Sequence, residues 1–407
     1  MAIIKPFRAV RPVADKVHLV ASRSDMSYSS QTVRDELEHN PYTFIHIVHP
    51  EHGKKFRSKP NSAERFHEVK ERYNRFLQEG TLIREDAPRF YLYRQIHDAH
   101  SHTGIIAAVS AQEYIDGHVK VHEHTLEKRE HVFKEYLDIT NFNAEPVLLT
   151  FRDEYRFHDL IRNCLLEKPV YDFTSTDHVR HQLWTVNNPE EESNIYSFFG
   201  GIDSLYIADG HHRCASSVLL AKERNSTKGE NASGYFMAYL VPSADLLIQP
   251  FHRLVAGLTQ QESEKLLHDL SAVCELRPCI GMEAPRHRRS IGVFVGDRWL
   301  MADFSKCGID ENLTDAALLT EMILSPLLGI QDLRNDPRIS FSGGSNKIPH
   351  VEAEVRAGKF QIAFTLFPVA CDELMAVSDR GEIMPPKSTW VEPKLCAGLT
   401  IYELLTD

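Results

Sequence analysis

Short apolar runs rich in β-branched and aromatic residues alternate along the chain with stretches whose apolar positions recur every three to four residues. The runs predict strands, and the stretches predict helices. Strands are predicted at 42–48, 90–96, 104–110, 146–151, 182–186, 204–208, 235–241 and 360–367, with a hairpin at 291–304. Helices are predicted at 61–78, 126–137, 214–224, 260–273 and 313–328. Because the strands and helices do not form regular βαβ units, the pattern predicts a mixed α/β (α+β) fold.

The domain organisation follows from changes of character along the chain. Pro242 and Pro250 separate a strand-rich part from a later part with long helices, a hairpin and a Pro- and Lys-rich tail. We therefore expect an N-terminal α/β lobe at 1–110, a core at 111–245 and a C-terminal α/β lobe at 246–407. The tail is expected to close on the site of the core.

Composition narrows the class of protein. The chain has 407 residues, of which 42% are hydrophobic and 25% charged, so it can bury a substantial core. A net charge of -11 argues against a nucleic-acid partner and favours a small-molecule substrate. The seven cysteines form no C-x-x-C pair, and no run of about 18 apolar residues could span a membrane. We expect a cytoplasmic protein; a homo-oligomer is compatible with this interpretation.

The strongest chemical motif is Asp209-Gly210-His211-His212-Arg213, which lies between a predicted strand and a predicted helix. A helix N-terminus presents N–H groups and a partial positive charge to an anion, and glycine permits a sharp turn. Arg213 and the two histidines can add donors to phosphate oxygens. Asp209 could cap the helix, orient a histidine or bind magnesium. The alternative is a capping aspartate beside histidines that only pack.

A second group of polar residues is found in Lys120-Val121-His122-Glu123-His124-Thr125. Alternation predicts Lys120, His122 and His124 on one face of a strand, and a carboxylate among histidines could act as a general base. Two alternatives stay open. Histidines 118, 122, 124 and 131 could bind zinc, although no HExxH spacing occurs, or the segment could be a solvated edge strand.

A third candidate is Lys387-Ser388-Thr389 in the tail. The stretch GEIMPPKS nearly matches the phosphate-binding pattern GxxxxGKS, but Pro386 replaces the second glycine and has no N–H to donate. The P-loop interpretation therefore fails. A lysine and two hydroxyls could still contact phosphate in another geometry, and a purely structural tail is the alternative.

Several separated motifs resemble a known family. PFRAVRP, NPYTFIHIVHPE, KVHEHT, YIADGHHR and MPPKSTWVEPKLCAGL are similar to the DUF1015 family over nearly the whole chain. The order of KVHEHT, helix, PVLLTF and YIADGHHR also resembles the ParB/sulfiredoxin-like nucleotide-binding fold and its free serine kinases. Cys214 lies at the start of the helix rather than within the turn, so peroxiredoxin repair is set aside.

The resemblance implies roles for particular residues. Glu123, with His124 and His212, would be catalytic, Glu123 being the base that acts on a serine hydroxyl. Asp209, His211, His212 and Arg213 would bind phosphate, and Asp209 would bind metal. The residue patterns themselves add further candidates for phosphate or nucleotide binding, namely Gly210, Lys387, Ser388 and Thr389.

The resulting hypothesis is a phosphotransferase of the kinase type. It would act on a small hydroxy amino acid or its phosphate ester, serine or phosphoserine first, with ADP or ATP and Mg²⁺ as cofactors. Two alternatives use the same site: a phosphatase that releases phosphate from phosphoserine, and a nucleotide-binding switch without turnover.

Overall fold

The chain folds into two compact units. The computed structural model describes residues 2–23, 28–53, 57–152, 154–226, 231–344, 347–392 and 394–405. The first unit contains Met1–Val121, Thr125–Leu246 and Pro393–Asp407, and the second contains His122–His124 and Leu247–Glu392. Regions 1–110 and 111–245, which the sequence analysis separates, both belong to the first unit. Composition does not reveal that the end of the tail belongs to the first unit, or that Glu123 and its two neighbours belong to the second unit.

The first unit combines helices and strands from both ends of the chain. Its helices are α1 Val17–Val20, α2 Ser30–His39, α3 Ile45–Val48, α4 Ala63–Gln78, α5 Ala111–Ile115, α6 Glu127–Thr140, α7 Glu154–Ile161, α8 Pro189–Gly200 and α9 His211–Glu223. Its strands are β1 Ile4–Lys5, β2 Ala9–Pro12, β3 Ser22–Arg23, β4 Leu82–Arg84, β5 Tyr91–His97, β6 His100–Ser110, β7 Val119–Lys120, β8 Phe142–Asn143, β9 Val147–Phe151, β10 Tyr171–Thr174, β11 Arg180–Thr185, β12 Leu205–Asp209 and β13 Tyr235–Pro242, with β22 Cys396–Ala397 and β23 Ile401–Glu403 near the C-terminus.

A nine-stranded mixed sheet forms the centre of the first unit. Its order is β10-β11-β5-β6-β13-β9-β12-β7, and β1 adds to β6. Strand β13 runs parallel to β9, and β12 runs parallel to β7, whereas the other neighbours are antiparallel. A smaller sheet, β4-β2-β23-β8, and the pair β22-β3 include the C-terminal strands.

The two faces of this large sheet differ in chemistry. One face carries Leu149, Ile207 and Leu240, which are buried in a core with Phe199 of α8 and Val218 of α9. Burial of such side chains supplies the main favourable free energy of folding. The opposite face carries a row of tyrosines and polar residues, among them Tyr91, Tyr93, Lys120, Tyr206 and Tyr239.

The second unit is built around a six-stranded antiparallel sheet. Its strands are β14 Leu247–Gln249, β15 Phe251–Val255, β16 Glu275–Pro278, β17 Ser290–Val295, β18 Arg298–Asp303, β19 Ile339–Gly343, β20 Ile362–Thr365 and β21 Trp390–Glu392, and its helices are α10 Gln260–Val273, α11 Asp315–Leu319, α12 Ser325–Leu328, α13 Ile348–Arg356 and α14 Cys371–Asp379. The sheet order is β16-β18-β17-β20-β15-β19, and β14 pairs with β21. A π-helical turn, Thr320–Leu324, joins α11 to α12.

The mixed α/β prediction is confirmed, and most elements lie where the pattern predicts them. The strand prediction at 42–48 is wrong, because a helical turn, α3, occupies this segment. Asn40 Oδ1 accepts a hydrogen bond from Tyr42 N–H, and the His46 ring bonds to Asn40 O, so local contacts start a turn. No helix in the described part of the chain is long and apolar enough to cross a bilayer.

Candidate functional site

The DGHHR turn joins strand β12 to helix α9 in the first unit. Asp209 is the last residue of β12, and a bulge between Ile207 and Asp209 shifts the register against β9. Gly210 is the N-cap of α9 and has φ +99°, a left-handed conformation that favours glycine. The first hydrogen bond inside the helix runs from Cys214 N–H to Gly210 O at 2.9 Å. As at any helix start, the N–H groups of the preceding turn point out of the N-terminal end.

Arg213 folds back over Gly210 and holds the turn together. Its Nη1 donates to Pro146 O at 2.6 Å and lies 2.7 Å from Glu145 Oε1, while its Nη2 donates to Asp209 Oδ2 at 3.1 Å. A Cβ on Gly210 would stand only 3.0–3.2 Å from the guanidinium atoms. Glycine is therefore required at 210 both for its backbone conformation and for the space that Arg213 occupies.

Asp209 does not cap α9. Gly210 occupies the N-cap position without a side-chain cap, and the carboxylate of Asp209 pairs instead with Arg213. The sequence analysis offered capping because aspartate commonly does this at helix starts. The bulge in β12 keeps Asp209 within the sheet, one residue too early to cap.

The other residues of the turn are fixed by α9. His211 is buried, and His212 is partly exposed. Ser216 Oγ donates to His212 O at 2.7 Å, and Ser217 Oγ donates to Arg213 O at 2.9 Å. Cys214 is fully buried, and this burial raises the pKa of its thiol far above the ordinary value. A thiol held neutral in this way is a poor nucleophile, which agrees with setting sulfiredoxin chemistry aside.

Glu123 lies in the short segment 122–124, which belongs to the second unit. Met384 N–H donates to His122 O at 2.8 Å, and Arg334 Nη2 donates to His124 O at 3.2 Å. These two bonds hold the backbone on both sides of Glu123. The His122 ring is buried, Glu123 is half-buried and His124 is exposed. The predicted alternation of a strand ends earlier, since β7 stops at Lys120.

Lys387 follows a proline turn that Arg253 supports. Arg253, which is buried, donates from Nη1 to Phe251 O at 2.7 Å and from Nη2 to Pro386 O at 3.2 Å. Burial lowers the pKa of this guanidinium to about 9. Ser388 Oγ donates to Pro385 O at 2.6 Å, so its hydroxyl closes the turn. Lys387 is exposed at φ +59°, with Nζ 5.8 Å from the centre of the Phe251 ring.

The second unit thus brings together two motifs that are far apart in sequence. The bond from Met384 to His122 joins the segment of Glu123 to the GEIMPPKS segment that leads to Lys387 and Thr389. Arg253, Arg334 and Met384, which support these segments, are not marked by any motif in the sequence. No local pattern could reveal them, because the partner atoms are backbone carbonyls more than a hundred residues away.

The grouping of possible ligand side chains tests the zinc prediction and bears on the magnesium prediction. Among the described residues, no three His, Cys, Asp or Glu side chains cluster closely enough to hold a metal ion. A zinc site of histidines 118, 122, 124 and 131 is therefore not formed by the described chain. Magnesium bound with nucleotide needs only one or two carboxylates, because phosphate oxygens and water supply its other ligands. Asp209, at the end of β12, fits that requirement.

Within the first unit, the strand register sets β7 beside β12. Strands β7 and β12 are parallel neighbours, with Val119 opposite Leu205 and Lys120 opposite Tyr206. Parallel strands end at the same edge of a sheet, so β7 and β12 leave this edge together.

Comparisons with known proteins place the chain in a family. The family model described as "Protein of unknown function (DUF1015)" matches residues 4–319. The chain belongs to this family. No curated protein matches it.

Distant solved structures are also similar to the chain. A conserved hypothetical protein from Pyrococcus furiosus has 16% identity and a TM-score of 0.35, and the match covers 73% of this chain and 95% of that one. C-terminally truncated SbnI from Staphylococcus aureus has 13% identity and a TM-score of 0.40, with 73% and 87% covered. A free serine kinase in complex with AMP has 17% identity and a TM-score of 0.36, with 73% and 91% covered.

Proposed function

We propose that this DUF1015 protein is a phosphotransferase that moves a phosphoryl group between a nucleotide, ADP or ATP, and a small hydroxylated metabolite. The leading substrate is serine, as the acceptor, or phosphoserine, as the donor in the reverse direction. The observation that carries the proposal is the geometry of the DGHHR turn. A left-handed Gly210 starts a helix of 13 residues directly after a strand, as a backbone cradle for phosphate requires. The choice of serine rests on the resemblance of the motifs to free serine kinases.

In this proposal the helix start, rather than Arg213, makes the main phosphate contact. The N–H groups of the first turn of α9 and the positive end of the helix dipole face the phosphate oxygens. His211 and His212 add donors from the same turn. Arg213 acts as a positioning residue, because its contacts to Asp209, Glu145 and Pro146 set the shape of the turn.

Glu123 is proposed as the general base. Its carboxylate accepts the proton of the acceptor hydroxyl as that oxygen forms a bond to the transferred phosphorus. The bond from phosphorus to the bridging oxygen of the nucleotide breaks, and the electron pair leaves with the shortened nucleotide. His124, beside Glu123, is the second candidate for proton handling. The backbone bonds to Met384 and Arg334 keep the segment in place.

Lys387 and Thr389 are proposed to contact phosphate oxygens, and Ser388 to support them by closing the turn. Asp209 is the residue that would hold magnesium. When bound, Mg²⁺ supplies charge neutralisation on the phosphates, which favours departure of the nucleotide oxygen.

Phosphorus NMR tests the proposal directly. The protein is incubated with phosphoserine in the presence and absence of ADP, and separately with serine and either ATP or ADP, each with Mg²⁺. New resonances from the transferred phosphate are expected in at least one direction. Inorganic phosphate formed without ADP would instead identify a phosphatase, and nucleotide binding without any new resonance would identify a switch.

The role of Glu123 is tested by Glu123→Gln, with Glu127→Gln as the matched control. Glu127 lies four residues later in the first turn of α6, and its side chain is 89% exposed. We expect Glu123→Gln to lower turnover by about 10²- to 10⁴-fold without loss of nucleotide binding, as for removal of a general base. The control should retain wild-type turnover. A Glu123→Gln enzyme with near wild-type turnover would exclude the general-base role.

A further inference from the structure

We infer that Lys120, Arg152, Tyr206 and Thr150 form a second oxyanion subsite in the first unit, separate from the phosphate cradle at α9. The inference rests on the proposed function, because it assigns the subsite to a substrate of that reaction. It concerns residues that the motifs do not single out as ligands. Its ligand is a carboxylate or phosphate oxygen group.

The strand register brings three of these residues side by side. Tyr206 of β12 is the cross-strand partner of Lys120 on β7 and of Thr150 on β9. Directly paired residues project from the same face of a sheet, so the three side chains share one face. Arg152 comes two residues after Thr150, immediately beyond β9.

Two cationic side chains converge on the ring of Tyr206. Arg152 Nη1 donates to Tyr206 Oη at 2.6 Å, and its Cζ lies 5.2 Å from the ring centre. Lys120 Nζ lies 5.8 Å from the same ring centre. Tyr206 is only 2% exposed, whereas Arg152 is exposed and Lys120 partly exposed. The buried ring therefore contacts both cationic side chains from one side.

Thr150 supplies an independent sign of a ligand. Its side chain is fully buried, and its Oγ1 has no hydrogen-bond partner within the described chain. Buried hydroxyls are nearly always paired, because an unpaired one costs free energy. A ligand oxygen or a water beside Tyr206 would satisfy it.

This combination of donors selects an oxyanion. A guanidinium offers a planar fork to two oxygens, an ammonium adds a point charge, and a hydroxyl adds a neutral donor. The phosphate cradle begins at Gly210, four residues after Tyr206 along β12, so the subsite is a neighbour of the cradle and not part of it. A substrate with two anionic groups, such as a phosphorylated amino acid, can occupy both. A second phosphate group of the nucleotide offers the same kind of oxygen atoms and is the other possible occupant of the subsite.

Isothermal titration calorimetry with three probes separates these sources. The probes are O-phosphoserine, O-phosphoethanolamine, which lacks the carboxylate, and ADP. The variants are Arg152→Gln and Lys120→Gln, and Arg94→Gln is the matched control. Arg94 also lies over an aromatic ring, with Cζ 5.4 Å from the Trp184 ring centre, and its Nε donates to Thr103 Oγ1 at 3.1 Å. It projects from the opposite face of the same sheet.

We expect both subsite variants to weaken phosphoserine binding by about tenfold or more, the effect of losing a hydrogen bond to a charged group. Phosphoethanolamine binding should change less than about twofold if the ligand is a carboxylate. Weaker ADP binding would support the subsite with nucleotide phosphate as its occupant. Wild-type affinities for all three probes in both variants would overturn the inference, as would an absence of binding to the wild-type protein.

The outcome does not depend on turnover. If phosphotransfer fails but the variants still weaken phosphoserine selectively, the subsite stands and the proposed reaction is wrong. If transfer occurs and the variants bind every probe normally, the reaction stands and the subsite is wrong.

Discussion

Replacing Gly210 with alanine perturbs the turn at a single atom. Gly210 has φ +99°, and alanine in such a conformation costs about 1–3 kcal/mol. The new Cβ would also meet the Arg213 guanidinium at 3.0–3.2 Å, so Arg213 must move away from Asp209, Glu145 and Pro146. These side chains are 23–39% exposed, so losing the contacts costs only about 1–2 kcal/mol after solvent screening.

The matched control is Gly80→Ala, after helix α4 in the same unit. Gly80 has φ +70°, but nothing lies within 4 Å of the position of its Cβ. The control therefore carries the backbone cost alone, about 1 kcal/mol. We expect Gly210→Ala to destabilise the first unit by about 2–5 kcal/mol in all, the sum of the backbone cost and the lost contacts. Hydrogen exchange of α9 amides under native conditions measures this local difference.

Nucleotide binding provides the second measurement. Because the cradle consists of N–H groups whose directions depend on residue 210, Gly210→Ala should weaken nucleotide on the order of tenfold, and Gly80→Ala should not. If both variants exchanged α9 amides equally fast and bound nucleotide equally well, the packing of Arg213 on Gly210 would be unimportant and the account of the turn would be refuted.

Two further predictions concern the second unit. Burial raises the pKa of the Asp315 carboxyl to about 6 from an ordinary 3.8, so its contribution to stability is present below pH 4 and is lost as the pH rises through 6. Asp315→Asn should therefore be more stable than wild type at pH 7 by up to about 3 kcal/mol, and this difference should vanish near pH 3.5. Thermal unfolding measured across this pH range tests the prediction. Lys387→Gly should raise the free energy of unfolding by about 0.5–1 kcal/mol, because residue 387 has φ +59°, a conformation that favours glycine. The same variant should bind nucleotide more weakly in a titration, and unchanged affinity would remove Lys387 from the proposed site.

The strand, glycine and helix of the DGHHR turn could be predicted because their determinants are local. An apolar strand, a glycine and a run of helix formers lie within about fifteen residues, and each favours the same structure. The role of Arg213 could not be predicted in this way. The sequence suggests that the guanidinium of Arg213 binds two phosphate oxygens. In the structure it bonds instead to the carbonyl of Pro146, 67 residues away, and to the carboxylate of Glu145, the residue before Pro146.

The segment around Glu123 shows the limit of pattern arguments in another way. Alternation in KVHEHT predicts a longer strand, but β7 ends at Lys120 because its pairing with β12 covers only two residues. The following residues are held by Met384 and Arg334, which are more than 200 residues away in sequence. Tertiary contacts of this kind override β propensity. At 42–48, by contrast, local hydrogen bonds to Asn40 start the helical turn α3 in place of the predicted strand.

The charges around the turn give the proposed magnesium ion a physical reason. Arg213 lies between two carboxylates, Asp209 and Glu145, so the three side chains together are net negative. The N-terminus of α9 contributes only about half a positive charge, and neutral histidines contribute donors without charge. A nucleotide polyphosphate carries several negative charges and would meet a weakly attractive site by this count. A magnesium ion bound with the nucleotide would offset part of that negative charge, and Asp209 is the residue proposed to hold it. Under this proposal, Asp209 would have two roles, as the partner that positions Arg213 and as a ligand of the metal.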